Sequence, residues 1–247
     1  MPGSEDLALA LVVLLALLVE ACAGFGATVV TVALGALILP IPAVLAAFVP
    51  VNLLLSLYLV ARERAWVDRP VLLRRVLPWM GAGFAAGVAV YQRASGAPWL
   101  PALFGALVVV LSAISLWGLR PGATPSPRLP AAPCLLAAGV VHGVFATGGP
   151  LVVYACEGLL PDKRGFRATL AAVWLPFHGL LLASYGASGA LGAASLRRSA
   201  ILLPALALGL PLGQWAHRRL PEARFRVGVY ALLLVAGGVP LLRAVLR

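Results

Sequence analysis

Apolar residues run along this chain in blocks. Nearly unbroken stretches cover residues 7 to 23, 43 to 61, 71 to 91, 98 to 118, 133 to 157, 168 to 186, 199 to 216 and 225 to 246. A helix rises 1.5 Å per residue, so a hydrocarbon core of roughly 30 Å is crossed by about 20 residues. Eight blocks of that length predict an all-α, polytopic membrane protein with almost no chain left for a soluble domain. The first block begins "MPGSEDLALA", has no basic residue ahead of it and runs past any small-residue cleavage site, so it is expected to be a retained helix.

Composition agrees with the pattern. The chain has 247 residues, 62% hydrophobic and 11% charged, with a mean hydropathy of +1.01, against about 25% charged in an ordinary soluble domain. The formal net charge of +11 comes from 18 Arg and one Lys against eight acids. In a soluble chain such an excess would point to nucleic acid. Here the basic residues stand at block ends, as in "RER" (62 to 64), "RR" (74 to 75, 197 to 198, 218 to 219) and "DKRGFR" (162 to 167), where they act as topology signals and headgroup contacts. Cys22, Cys134 and Cys156 lie inside apolar blocks without metal-ligand spacing and read as small core residues. No cofactor or metal is expected.

The two halves of the chain resemble each other. Residues 119 to 133, "LRPGATPSPRLPAAP", hold five prolines and cannot continue a helix, so they divide a first repeat (1 to 118) from a second (134 to 247). "GFGAT" (24 to 28) overlies "GVFAT" (143 to 147) at an offset of 119. An offset of 126 pairs Pro50 with Pro176, Pro78 with Pro204, Gly83 with Gly209, Gly87 with Gly213 and Arg93 with Arg219. Duplicated halves recur in secondary transporters, whose sites lie where broken helices meet near the midplane.

Each half contains such a break. "GFGAT" and "HGVFATGGP" (142 to 150) set Gly, Thr and Pro between apolar runs. Irregular backbone at membrane depth survives only where protein or water satisfies it, and a half-helix starting there directs free N–H groups at a bound anion. Gly24, Gly26 and Thr28 in the first break, and Thr147, Gly148 and Gly149 in the second, are therefore candidate binding positions. The alternative is that the glycines only allow close helix packing, which is the preferred reading for the GxxxG pairs Gly83/Gly87 and Gly209/Gly213.

Few polar side chains lie inside the blocks. Asn52, two residues after Pro50, corresponds at offset 126 to His178, two residues after Pro176, and the pair reads either as two walls of one site or as interhelical hydrogen bonds. His142 precedes the second break and can donate to an anion, carry a proton or only pack. Glu20, four residues before Gly24, is the candidate coupling carboxylate, with a structural acid as its rival. Arg167 is the arginine placed to meet the anion, against an ordinary topology role. "GASG" (186 to 189) with His217 downstream matches the serine motif of intramembrane proteases, but "YGASGALGAA" reads as an interhelical loop, and an intramembrane hydrolase is kept only as a remote alternative.

Over "GVFATGGPLVVYACEGLLPDKRGFRATLAAVW" (143 to 174) and "GFGATVVTVALGALILPIPAVLAAFVPVNLLLSLY" (24 to 58) the chain resembles the TauE/SafE sulfite exporter family, with its Gly-rich break, apolar stretch and "K-x-x-F-R-A-T" ahead of the next helix. Ala146 stands where a third glycine is common in that family. The resemblance implies a membrane transporter that exports, or less often takes up, small sulfur-containing anions such as sulfite and sulfonates. Moving one charge through 100 mV is worth about 2.3 kcal/mol, so an anion leaving a negative-inside cell gains roughly fifty-fold without a coupling ion. An exporter acting by alternating access in a bacterial inner membrane is therefore the expectation, with a proton- or sodium-coupled importer of small sulfonates or carboxylates as the rival. The expected partners are a small anion and membrane lipid, with no nucleic acid, and the oligomeric state is open between monomer and homodimer.

The arginine distribution adds an expectation about topology. In the first half the basic loop follows the second block (Arg62, Arg64, Arg69), and the loop after the third block carries only Arg93. In the second half the loop after the seventh block (Arg218, Arg219, Arg224, Arg226) outweighs Arg197 and Arg198 after the sixth. Under the positive-inside rule that change of order predicts inverted repeats whose first units are interrupted at the Gly-rich breaks.

Overall fold

A computed structural model describes residues 3–94, 97, 99–118, 130–156, 159–160, 162–219 and, beyond these, 227, 228, 230, 231, 234, 235, 237, 238, 241 and 242. Most of the linker 119 to 133, Glu157, Arg224, Arg226 and much of the block 225 to 246 lie outside the described residues. The described elements are helical: α1 (Ser4–Ala23), α2 (Ala27–Gly35), α3 (Ile41–Glu63), α4 (Leu77–Ala94), α5 (Leu100–Gly118), α6 (Ala131–Phe145), α7 (Gly149–Cys156), α8 (Lys163–Ala187) and α9 (Ala193–Arg219). A 3₁₀ turn, Arg64–Trp66, and a π-helical stretch, Val71–Val76, join α3 to α4. Among the described residues, four helical stretches are long and apolar enough to cross a bilayer: Ser4–Ala23, Ile41–Trp66, Lys163–Ala187 and Ala193–Arg219.

The chain divides into two compact units, and each draws on both halves of the sequence. One comprises Met1–Pro78 and Cys156–Arg218, the other Trp79–Ala155 and Arg219–Arg247. In the first unit, α3 and α8 form the most extensive helix pair, followed by α1 with α2. Helix α1 shows how apolar blocks are sorted when both faces are apolar. Leu7, Leu11 and Leu15, spaced by four, are exposed. Leu9, Val13, Ala16, Leu17 and Glu20 share the opposite, buried face. That spacing is the helical period, and it turns the one deep acid of α1 toward protein while leucines take the lipid side.

The small-residue pairs pack backbones together. In the first unit a Cβ on Gly213 would lie 2.5 Å from Cβ of Ala21 and 2.6 Å from the Leu18 carbonyl oxygen, so α9 crosses α1 there with no room for a side chain. In the second unit a Cβ on Gly83 would stand 2.0 Å from the Leu136 carbonyl oxygen, and one on Gly139 2.1 Å from that of Met80. Close approach of this kind increases dispersion contact where no hydrophobic drive separates helix from lipid. Pro50 and Pro176 lie inside α3 and α8, and Pro204 and Pro211 inside α9. Each deprives a carbonyl four residues earlier of its helical partner and loosens the helix there.

Candidate functional site

Both breaks are present, and both are buried. Helix α1 ends at Ala23 and α2 begins at Ala27, with Gly24 at φ 83° and Gly26 at φ 105°. These are left-handed conformations that a side chain disfavours, which is why glycine stands at both. In the second unit α6 ends at Phe145 and α7 begins at Gly149, with Ala146 at φ 55°. The amide of Gly24 bonds the Glu20 carbonyl at 2.7 Å, and that of Ala146 bonds the His142 carbonyl at 2.8 Å.

These helix ends correct the register of the repeat at the breaks. Gly24 and Ala146, the two left-handed caps, are 122 residues apart, as are Ala27 and Gly149, the two half-helix starts. Glu20 and His142 therefore hold equivalent places, four residues before the cap. Thr28 and Thr147, which the sequence aligns at 119, do not: Thr28 is the second residue of α2, whereas Thr147 lies in the break itself. A match of three small residues outweighed the helix ends, which a sequence does not display.

The first break is built by side chains from distant parts of the chain. The last carbonyls of a helix have no partner within it, and in lipid each must find one elsewhere. Arg167 Nη1 donates to the Ala21 carbonyl at 2.8 Å, His217 Nδ1 to the Cys22 carbonyl at 2.6 Å, and Trp174 Nε1 to the Gly24 carbonyl at 2.8 Å. The far end of the break is closed from within: the Ala27 amide, first of α2, donates to Glu20 Oε2 at 3.0 Å. The Glu20 carboxyl thus lies at the positive end of a half-helix, and it caps across the break from the preceding helix.

Asn52 and His178 complete this cluster. Asn52 Nδ2 lies 3.5 Å from Glu20 Oε2 and 3.5 Å from His178 Nε2. The His178 ring stacks beside Trp174, one turn earlier on α8, with centroids 6.4 Å apart. Glu20, Asn52 and His178 are 3%, 0% and 1% exposed, so an ionisable acid, an amide and an imidazole meet in the protein interior. The carbonyl oxygen of Asn52 is buried and accepts no hydrogen bond among the described residues. Thr28 is buried at the start of the same half-helix.

Arg167 is buried, 5% exposed, and is bound into the protein. Besides Ala21 it pairs with Glu63 near the end of α3. Its neighbours in the "KRGFRAT" stretch are also anchored. Asp162 caps α8 by accepting from the Gly165 amide at 2.7 Å, and Lys163 donates to the His217 carbonyl at 3.0 Å. The Arg164 guanidinium lies 4.6 Å from the Trp66 ring centroid, and Thr169 Oγ1 accepts from the Asp68 amide at 3.0 Å. The motif is a brace that ties the start of α8 to the ends of α1, α3 and α9.

Two members of this site carried no mark in the sequence reading. Glu63 stands inside "RER", which reads as a topology cluster, and Trp174 reads as one more apolar residue. The signal available for Trp174 was its place one helical turn before His178, on the same face. In the second unit His142, Thr147, Gly148 and Gly149 are all buried. The Phe84 ring is tilted against His142 with centroids 6.0 Å apart, and a Cβ on Gly148 would stand 2.4 Å from the Ala138 carbonyl oxygen.

The serine of "GASG" is not part of a nucleophilic pair with His217. Ser188 lies in the turn between α8 and α9 and its hydroxyl donates to the Tyr185 carbonyl at 3.2 Å. His217 stands near the other end of α9, about 36 Å along the helix from Ala193 at 1.5 Å per residue. Among the described residues no group of three or more His, Cys, Asp or Glu side chains is arranged to hold a metal.

Comparison with known proteins fits a broken-helix membrane protein of this kind. The family model described as sulfite exporter TauE/SafE matches residues 9–239. A probable inner membrane transporter protein, TsaS of Comamonas testosteroni, is 30% identical over 104 residues, which cover 42% of this chain and 43% of that relative's length. No solved structure matches the chain. The matched residues take in both breaks and the brace on α8, and the chain belongs to the TauE/SafE sulfite exporter family of multi-pass membrane transporters.

Proposed function

We propose that this chain is a secondary transporter that exports sulfite or a small organosulfonate across a bacterial inner membrane by alternating access. The observation that carries the reading is the convergence of Glu20, Asn52 and His178, all three buried, on the first helix break. Buried polar groups are costly in a membrane protein and mark ion and substrate paths. A half-helix start with an amide beside it supplies N–H donors, which suit the oxygens of an oxyanion. Membership of the family and likeness to the probable inner membrane transporter support a transporter. The sulfur anion follows from the family's description, and export follows from the outward drive on an anion in a negative-inside cell.

Substrate-binding residues under this reading are Gly24, Gly26, Thr28, Asn52 and His178 at the first break, and His142, Thr147, Gly148 and Gly149 at the second. Arg167 acts through the Ala21 carbonyl by holding the first break in place. A thermal-shift screen of the purified protein against sulfite, sulfate, thiosulfate, sulfoacetate, acetate and chloride tests the substrate class, because a ligand that binds the native state raises apparent stability by mass action. Sulfite or a sulfonate is expected to give the largest shift; a shift with acetate alone contradicts the sulfur assignment.

Glu20 favours a second reading, in which a proton or sodium ion is coupled to uptake of a small sulfonate or carboxylate. Its carboxylate touches both the half-helix and Asn52.

A further inference from the structure

Glu20 already occupies the place that an anion would take. Its Oε2 receives the Ala27 amide at 3.0 Å and the Asn52 amide at 3.5 Å, so the first donors of the half-helix and the buried carboxamide are directed at the chain's own carboxylate. The amide of Val30 is tied back to the Gly26 carbonyl at 3.1 Å, which leaves Thr28 and Val29 in the open first turn beside Ala27. Two anions cannot share one set of donors in a low-dielectric interior.

Given the transport reading above, the geometry points to a competition: the carboxylate of Glu20 and the transported anion take the same half-helix donor, Ala27 N–H, in turn. The anion enters only when Glu20 has taken up a proton. Protonation removes the charge that holds Oε2 at the half-helix and converts the group from acceptor to donor. Asn52 provides for this change. Its Oδ1 is buried and has no partner among the described residues, and rotation of the carboxamide by half a turn presents that oxygen to the new O–H. When the anion leaves, the carboxylate returns to Ala27 and the proton departs to the same side. Each anion thus travels with one proton: a monoanion moves no net charge and leaves on its own concentration gradient, whereas a dianion such as fully ionised sulfite still carries one negative charge outward with the membrane potential.

Other charged groups around Glu20 are few and committed. Helix α2 carries no ionisable side chain. Helix α3 brings Glu63, paired with Arg167 of α8. Helix α8 also brings His178, whose Nε2 lies 3.5 Å from Asn52 Nδ2. Helix α9 brings His217, bonded to the Cys22 carbonyl. On α1 itself Asp6 is four turns away and pairs with Arg197 and Arg198.

The test uses methanesulfonate, whose charge does not change over the working range of pH, with the full-length protein in detergent. Equilibrium affinity is measured from pH 5 to pH 9 for the wild type and for Glu20→Gln, which keeps the shape and cannot ionise. Wild-type affinity is expected to fall about tenfold per pH unit once Glu20 ionises, and Glu20→Gln is expected to bind with the wild type's low-pH affinity at every pH. Proton uptake by the unmodified protein in weak buffer, expected at one proton per sulfonate bound, needs no variant and holds even if Glu20→Gln does not fold. Sulfonate binding with flat pH dependence and no proton uptake, or sodium-dependent binding in its place, overturns the competition while leaving the transport reading intact. Absence of binding at every pH, of sulfite as well as of methanesulfonate, removes both.

Discussion

Asn52 Nδ2 and His178 Nε2 lie 3.5 Å apart, and the two residues are 126 positions apart in the chain, each two residues beyond a proline inside its helix. The Pro-x-Asn and Pro-x-His that match at this offset are thus neighbours in space, on two helices that pack together in the first unit. A buried amide and imidazole in contact constrain each other's orientation, because each is the other's partner in an interior with few alternatives.

That contact predicts non-additivity. Asn52→Ala and His178→Ala should each lower anion affinity several-fold in titration of the purified protein, and the double variant should lose less than the two single effects combined, with a coupling of about 0.5–3 kcal/mol. Independent, additive losses would mean that the two side chains serve different tasks.

Removal of the Arg167 guanidinium should be the most damaging single change at the brace. It leaves the buried Glu63 to the half-exposed Arg164 at 3.9 Å and the Ala21 carbonyl without a donor, and breaking a buried ion pair costs up to about 3–5 kcal/mol. Arg167→Ala is expected to lower the melting temperature sharply, with partial recovery when Glu63→Gln is added. A variant as stable as the wild type would show that the pair is not needed to hold the break.

Trp174→Phe keeps the ring volume close and removes one donor, leaving the buried Gly24 carbonyl unpaired. An orphaned buried acceptor costs about 1–3 kcal/mol. The expected result is a modest fall in melting temperature with a larger loss of transport, since the carbonyl belongs to the break.

Packing at the small-residue pairs can be separated from backbone propensity. Gly213→Ala places a methyl 2.5 Å from Cβ of Ala21 and should destabilise by about 1–3 kcal/mol. Gly179→Ala on α8 meets nothing within 4 Å and should be neutral or stabilising by up to about 1 kcal/mol, as helix propensity alone dictates. Equal responses in thermal denaturation would refute the close-packing account of α1 and α9.

The left-handed cap of α6 carries a strain that one substitution removes. Ala146 sits at φ 55°, where an L side chain costs roughly 1–2 kcal/mol. Ala146→Gly should raise the melting temperature, and a fall would indicate that the Ala146 methyl contributes more by packing than its backbone loses.

What the sequence revealed and what it hid follow from the range of the interactions concerned. Helices, breaks and tight crossings were legible because local features encode them: block length, Gly and Pro at the breaks, and GxxxG spacing. The Asn52–His178 pair was legible through the repeat. The capping of α2 by Glu20 was not, because it depends on the direction in which the chain turns between Ala23 and Ala27. Arg167 was singled out for an anion because an arginine in "FRAT" offers no local partner. Its partners, Ala21 and Glu63, lie 146 and 104 residues away, and only the fold brings them together.

Counterflow into proteoliposomes tests the central claim most directly. Vesicles loaded with sulfite and carrying the wild-type protein should take up labelled sulfite in a saturable manner, and Asn52→Ala and His178→Ala, reconstituted to the same density, should take up at most a tenth as much. Uptake no greater than in protein-free vesicles for sulfite and for every sulfonate offered, or full uptake by both variants, would contradict the account.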